Sequence, residues 1–184
     1  MTSTASATAP ASMGRVAFVG AGPGQADLIT VRGAQRLAQA GVVLTDALAD
    51  PALRELAPQA RWLHVGKRGF ADSTGQETIN ALLVRSAREV GAGGLVVRLK
   101  GGDPSVFGRL EEELQAMAEA GIECEVVPGV TAALAAAASA KRPLTRRGSG
   151  RSVSFSTAMT RAAPDHVAAE AASGPLRASR SADT

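Results

Sequence analysis

Tyrosine is missing from this chain of 184 residues, which holds a single Trp and four Phe. Single-stranded nucleic acids are gripped largely by stacking bases on aromatic platforms, so so few rings argue against that class of partner, and no nucleic acid is expected. Cys124 is the only cysteine, which excludes an intrachain disulfide and a thiolate metal cluster. The two histidines, His64 and His166, stand far apart with no ligand spacing around them, so no metal is expected. No apolar run approaches the roughly 20 residues of a membrane span. Residues 1–13 (MTSTASATAPASM) lack the basic start and apolar stretch of a secretory signal. They read as a flexible leader, and the expected compartment is the cytoplasm.

Hydrophobic residues make up 45% of the chain, mostly Ala, Val and Leu, enough for a core. The length suits one domain plus a fragment, or two small domains. The formal charge is +3. A mild basic excess serves solubility, but position adds something: Arg98, Lys100 and Arg109 flank one glycine turn, and Arg146, Arg147 and Arg151 follow another. That placement predicts an acidic small-molecule substrate.

Strand and helix signals alternate after the leader. Strands are predicted over Arg15–Val19, Val42–Leu44, Trp62–Val65, Leu95–Leu99 and Ile122–Val127. Thr30 is placed to cap a helix running through Ala40, with Gly41 as a left-handed C-terminal cap. Asp50-Pro51 opens a short helix to about Ala57. Thr74-Gly75-Gln76-Glu77 matches a capping box, and Ile79, Leu82, Leu83, Ser86 and Val90 continue at helical spacing. Leu110–Ala120 begins with acidic residues, suited to the positive end of a helix dipole, and Gly121 closes it. Val130–Ala140 is a small-residue helix able to pack closely on a sheet. The repeat predicts an α/β fold, a mainly parallel sheet with right-handed crossovers and helices on both faces. Val153–Ser156 reads as a further strand, the first of a second domain. Beyond Thr157 the composition cannot bury enough apolar surface to order itself. The expected division is a leader (1–13), an α/β domain (14–148), and a linker with the truncated start of a second α/β domain (149–184).

Three glycine-bearing turns follow buried-type strands: Gly20-Ala21-Gly22-Pro23-Gly24, Gly101-Gly102-Asp103-Pro104 and Pro128-Gly129-Val130-Thr131-Ala132. In open α/β sheets such turns lie at the carboxyl ends of strands, where ligands bind. The first turn, with Asp46 about 20 residues on, partly matches the dinucleotide fingerprint. Its spacing is G-x-G-x-G, however, and Pro23 removes an amide where a pyrophosphate needs one. An NAD-binding module is thus one reading of the first turn, and it leaves the other two unexplained.

The segments VAFVGAGPGQADLITVRGA, VGKR (65–68), QETINALL (76–83), VVRLKGGDPSVFGR (96–109), VVPGVTAALAAAA (126–138) and PLTRRG (143–148) together resemble the tetrapyrrole methylase family, and within it the uroporphyrinogen-III C-methyltransferases. The likeness runs from about Arg15 to Ser156. It implies S-adenosylmethionine as methyl donor and an active site between two α/β domains. The implied reaction is C-methylation of uroporphyrinogen III to precorrin-2, on the way to sirohaem and cobalamin. The cofactor site would be lined by Pro23, Gly101, Gly102, Asp103, Val106, Thr131 and Ala132. Asp46 and Lys67 match the family's proton acceptor and proton donor: once a pyrrole carbon is methylated, the resulting cation must lose a proton. An ordinary aspartate, with a pKa of about 3.9, is ionised and ready to take one. The implied substrate carries eight carboxylates, for which Arg32, Arg68, Arg146 and Arg147 are candidate guanidinium partners.

The resemblance also implies a homodimer for the full-length protein and a longer second domain with a methionine-containing loop. On that expectation the chain is truncated, and an inactive binding remnant becomes the alternative to an enzyme. Where the family usually has tyrosine before the strand-two aspartate, this chain has Thr45.

Overall fold

The computed structural model describes residues 13–65 and 75–157. The chain divides into a unit Met1–Val153 and a unit Ser154–Thr184. Residues 154–157 of the latter form no regular element.

Five strands form one sheet: β1 (Arg15–Gly20), β2 (Val42–Thr45), β3 (Arg61–His64), β4 (Leu95–Lys100) and β5 (Cys124–Val127), in the order β3-β2-β4-β1-β5. Every pairing is parallel. Alternation along the strands splits the core into two layers. Ala17, Val19, Val43, Val97 and Leu99 face Leu37 of α1 (Val31–Gln39) together with Leu53 and Ala57. Val16, Phe18, Leu44 and Val96 face Ile79, Leu83 and Ala87 of α2 (Gln76–Val90) and Met117 of α3 (Leu110–Glu119). Helices therefore cover both faces, as the alternating pattern demands of a parallel sheet.

Local chemistry sets most boundaries. The Thr30 hydroxyl accepts from Gly33 N–H at 3.1 Å and caps α1. Asp50 caps a 3-10 helix over Pro51–Leu56 through Ala52 N–H at 2.9 Å. Gly121, at φ 67°, ends α3 as expected. Gly41 does not adopt that conformation: α1 leaves through an extended Ala40, so no left-handed cap is required. Helix α2 starts from Gly75, and Thr74 lies outside the described residues.

Two further expectations fail. Helix α4 (Ala132–Ser139) has no buried residue, so it does not pack closely on the sheet. Val153–Ser156 forms no strand, and Val153 and Phe155 are exposed. A four-residue alternation with only two apolar side chains has no ladder to join, and a lone strand gains nothing by extending.

The arginine and lysine of β4 are the larger correction. Arg98 and Lys100 are buried on the α2/α3 side of the sheet, facing inward and paired with the equally buried Glu113 of α3. Arg98 Nε donates to Glu113 Oε1 at 2.9 Å and Lys100 Nζ to Oε2 at 2.5 Å. Burial, reinforced by Arg98, pushes the Lys100 ammonium below the ordinary lysine range, while Glu113 and then Asp46 pull it back. Neither cation is available to an acidic substrate. Arg109 is exposed and holds Glu112.

Removing one partner of a buried charge cluster strands the others and costs about 3–5 kcal/mol. Glu113→Ala is therefore expected to lower stability in urea by that amount. Glu89→Ala, which breaks half-exposed pairs with Arg61 and Arg85, should cost about 1 kcal/mol or less. Similar losses in both variants would contradict the buried cluster.

Candidate active site

The strand order explains why three distant turns meet. β1 lies between β4 and β5, so the turns that leave Gly20, Lys100 and Val127 emerge side by side on the carboxyl rim. Further along the rim, β2 ends at Thr45-Asp46 and β3 at His64.

The three turns touch through bare main chain. Gly22 and Gly102 form an antiparallel bridge: Gly102 N–H donates to Gly22 O at 2.7 Å, and Gly22 N–H to Gly102 O at 3.3 Å. A Cβ on Gly20 would fall 2.5 Å from Gly129 Cα and 2.7 Å from Gly102 O. Side chains on neighbouring loops then lock the cluster. Asp103 Oδ2 accepts from Gly129 N–H at 2.9 Å, joining the second turn to the third. Asp103 Oδ1 accepts from Ser105 N–H at 2.8 Å. The Thr30 hydroxyl donates to Pro128 O at 3.4 Å, and Asp50 Oδ2 accepts from Ala26 N–H at 3.1 Å.

Above this junction opens a cleft of about 300 Å³. Its lining includes all seven residues expected at a cofactor site, Pro23, Gly101, Gly102, Asp103, Val106, Thr131 and Ala132, joined by Gly22, Leu48 and Phe107. Leu48 and Phe107 are exposed apolar side chains that composition and spacing did not mark. Phe107 has φ 53° and Arg109 φ 52°, so the loop between β4 and α3 is held in a conformation that L residues seldom adopt. Asp103-Pro104 does not start a helix; Asp103 forms a turn, and α3 begins only at Leu110. Thr131 precedes α4, but its hydroxyl makes no cap hydrogen bond.

Asp46 lies in the wall beside this cleft. Gly101 N–H donates to its Oδ2 and Leu48 N–H to its Oδ1, each at 3.0 Å. A carboxylate has about four acceptor positions, so two remain for a proton or a ligand. Thr45, before it, is buried, and its hydroxyl donates to Asp46 O at 3.2 Å. Asp46 also opens onto a second cleft of about 340 Å³, shared with Thr45, Ala49, Asp50, Pro51, Arg54, Trp62 and His64. Lys67 and Arg68 lie outside the described residues.

The dinucleotide reading fails on this geometry. In that fingerprint a helix opens at the glycines and its N-terminus receives the pyrophosphate. Here α1 is capped by Thr30, after an intervening 3-10 turn at Ala26–Leu28. The first turn instead gives its amide and carbonyl to Gly102.

A family model for Tetrapyrrole (Corrin/Porphyrin) Methylases matches residues 15–176. The chain belongs to the tetrapyrrole methylase family. A uroporphyrinogen-III C-methyltransferase of Pseudomonas aeruginosa is 48% identical over 147 residues, covering 80% of this chain and 59% of that one. A siroheme synthase of Yersinia pestis is 53% identical over 147 residues, covering 79% of this chain and 30% of that one. Among solved structures, the uroporphyrin-III C-methyltransferase of Thermus thermophilus complexed with S-adenyl homocysteine is 47% identical, with a TM-score of 0.61. It covers 73% of this chain and 55% of that one. The chain thus spans well under two thirds of each of these relatives.

Against that tetrapyrrole methylase background, the remaining candidates sit apart from both clefts. Arg32, Arg146 and Arg147 are exposed and line neither one. No group of three or more His, Cys, Asp or Glu that could hold a metal is found among the described residues. No helix among them is long and apolar enough to cross a membrane.

The glycine junction has a direct test. A Cβ on Gly129 would run into Gly102 O and fall 2.7 Å from Gly20 Cα. Gly102 has φ 70°, but its Cβ would meet nothing closer than 3.9 Å. Overpacking costs about 1–3 kcal/mol, and a left-handed non-glycine about 1–2 kcal/mol. Gly129→Ala is expected to destabilise the chain more than Gly102→Ala in thermal unfolding. The reverse order would mean that the three main chains do not meet.

Proposed function

We propose that this chain carries the cofactor-binding part of an S-adenosylmethionine-dependent uroporphyrinogen-III C-methyltransferase, forming precorrin-2 in the cytoplasm. The observation that carries the reading is convergence. Seven residues, chosen from three separate turns, line one cleft at the carboxyl rim of the sheet. The setting suits an adenosyl amino acid: Leu48, Val106 and Phe107 offer apolar wall, Asp103 a carboxylate and Thr131 an uncommitted hydroxyl. At about 300 Å³ it stands at the lower end of small-ligand sites.

When bound, S-adenosylmethionine supplies a sulfonium methyl group. The protein's contribution is position. Main-chain turns fix the donor, Asp103 meets a ribose hydroxyl or the ammonium, and Asp46, next to Gly101, accepts the proton that the methylated ring must lose. Lys67 serves as the proton donor. The family resemblance makes a homodimer the expected assembly.

Asp46 holds Gly101 N–H as well as facing the second cleft. Asp46→Ala would therefore disturb the cofactor wall, whereas Asp46→Asn keeps a main-chain acceptor and loses the charge. Titration calorimetry with S-adenosylhomocysteine should show binding by the wild-type chain. Affinity should fall at least about tenfold in Asp103→Ala, the scale of a lost charge-assisted hydrogen bond, and stay within about threefold in Asp46→Asn. Binding of NAD but not of S-adenosylhomocysteine would overturn the assignment. Binding of neither would leave an inactive remnant.

A further inference from the structure

The second cleft contains an arginine held in place by two side chains. Arg54 Cζ stands 5.4 Å over the ring of Trp62, the only indole of the chain. Trp62 is itself fixed, its Nε1–H donating to Ala57 O at 3.1 Å. On its other side Arg54 reaches His64, with Nη2 to Nε2 at 2.6 Å. A guanidinium only donates, so Nε2 accepts and the imidazole proton of a neutral His64 sits on Nδ1. Stacking and hydrogen bonding together hold the fork in one orientation before any ligand arrives.

The two carboxylates of the cleft hold main-chain amides and do not pair with Arg54. Asp50 accepts from Ala26 and Ala52, and Asp46 from Gly101 and Leu48. Among the ion pairs of the described residues, none involves Arg54. Arg54 and His64 are exposed, while Asp46 and Asp50 are half-buried. The cleft therefore has a cationic rim above an acidic floor. It opens at the carboxyl ends of β2 and β3, beside the glycine cleft, where an open parallel sheet receives ligands. A pre-oriented guanidinium plane stacked on an indole suits a planar carboxylate, which it binds with two parallel N–H donors.

We propose that Arg54, backed by Trp62 and His64, is the receptor for one carboxylate arm of the tetrapyrrole substrate and anchors it beside Asp46. The inference rests on the methyltransferase reading above and adds a specificity-determining residue that the exposed arginines 32, 146 and 147 do not supply. It assigns separate tasks within one cleft: the rim holds an arm of the substrate, and the floor presents the proton acceptor.

The test uses the whole chain, uroporphyrin III as the probe, and three variants: Arg54→Gln, Arg54→Lys and Arg85→Gln. Arg85 is an exposed arginine on α2 and controls for loss of a positive charge. Affinity for uroporphyrin III, read from the shift of its absorption band, should fall about tenfold in Arg54→Gln. Arg54→Lys should recover part of the loss, and Arg85→Gln should change it less than about twofold. S-adenosylhomocysteine affinity should be alike in all four proteins, and Trp62 emission checks that the cleft stays folded. Unchanged affinity in Arg54→Gln would overturn the receptor, as would an equal loss in Arg85→Gln. A chain that binds S-adenosylhomocysteine but not uroporphyrin III would overturn it too, leaving the cofactor site standing. Failure to bind S-adenosylhomocysteine would instead sink the methyltransferase reading, and the receptor with it.

Discussion

Main chain packed on main chain at Gly20, Gly102 and Gly129 is the contact on which the rest of the rim depends. Side chains at Gly20 or Gly129 would hold the turns apart by the width of a methyl group or more, and no repacking could recover the approach because the obstructing atoms are backbone. Close approach has a further cost, since each turn leaves peptide N–H groups that must be paired. Three aspartates do this. Asp103 takes Gly129, Asp46 takes Gly101 and Leu48, and Asp50 takes Ala26 and Ala52. Asp46 and Asp103, which the resemblance marks for catalysis and cofactor binding, are thus also braces of the site, together with the cap residue Asp50. On the proposed reading, function and scaffold share the same atoms.

That double use changes how substitutions at the rim must be interpreted. Loss of Asp103 would remove the proposed ligand contact and also untie the second turn from the third. Loss of Asp46 would remove the proposed proton acceptor and also free the Gly101 amide beside the cleft. Asparagine, which keeps an acceptor, separates the two effects better than alanine does. The same reasoning gives Thr30 a role at a distance, because one hydroxyl caps α1 and reaches the third turn.

Much of the fold was legible because burial leaves a periodic trace. The strands stood out as short runs of Val, Leu and Ile between glycines, and α1, α2 and α3 as stripes with capping chemistry at their ends. The convergence of the three turns was legible only as wording. Nothing local in the sequence says that β4 inserts between β2 and β1, yet that order brings the turns side by side. The misreadings share one cause. Charge suggests exposure at Arg98 and Lys100, where Glu113, 15 and 13 residues away, supplies the missing partner. Small apolar composition suggests close packing at α4, which has no buried residue, and alternation suggests a strand at Val153–Ser156, which forms no regular element. A one-dimensional pattern reports what a segment can bury, and the partner decides whether it does.

The same principle separates the cations of the rim. Arg98 and Lys100 bring two positive charges against the single negative charge of Glu113, near the neighbouring strand ends that lead into Gly101 and Asp46. One positive charge therefore remains in the interior close to Asp46, and its field acts on that carboxylate through poorly screening protein. Arg54 shares with Asp46 a cleft open to water. A buried charge offers a constant background that no substrate can displace. A rim charge is free to exchange solvent for a ligand. On the proposed reading Asp46 stands between the two, and the acceptor positions left after Gly101 and Leu48 let one carboxylate brace a turn and still take a proton.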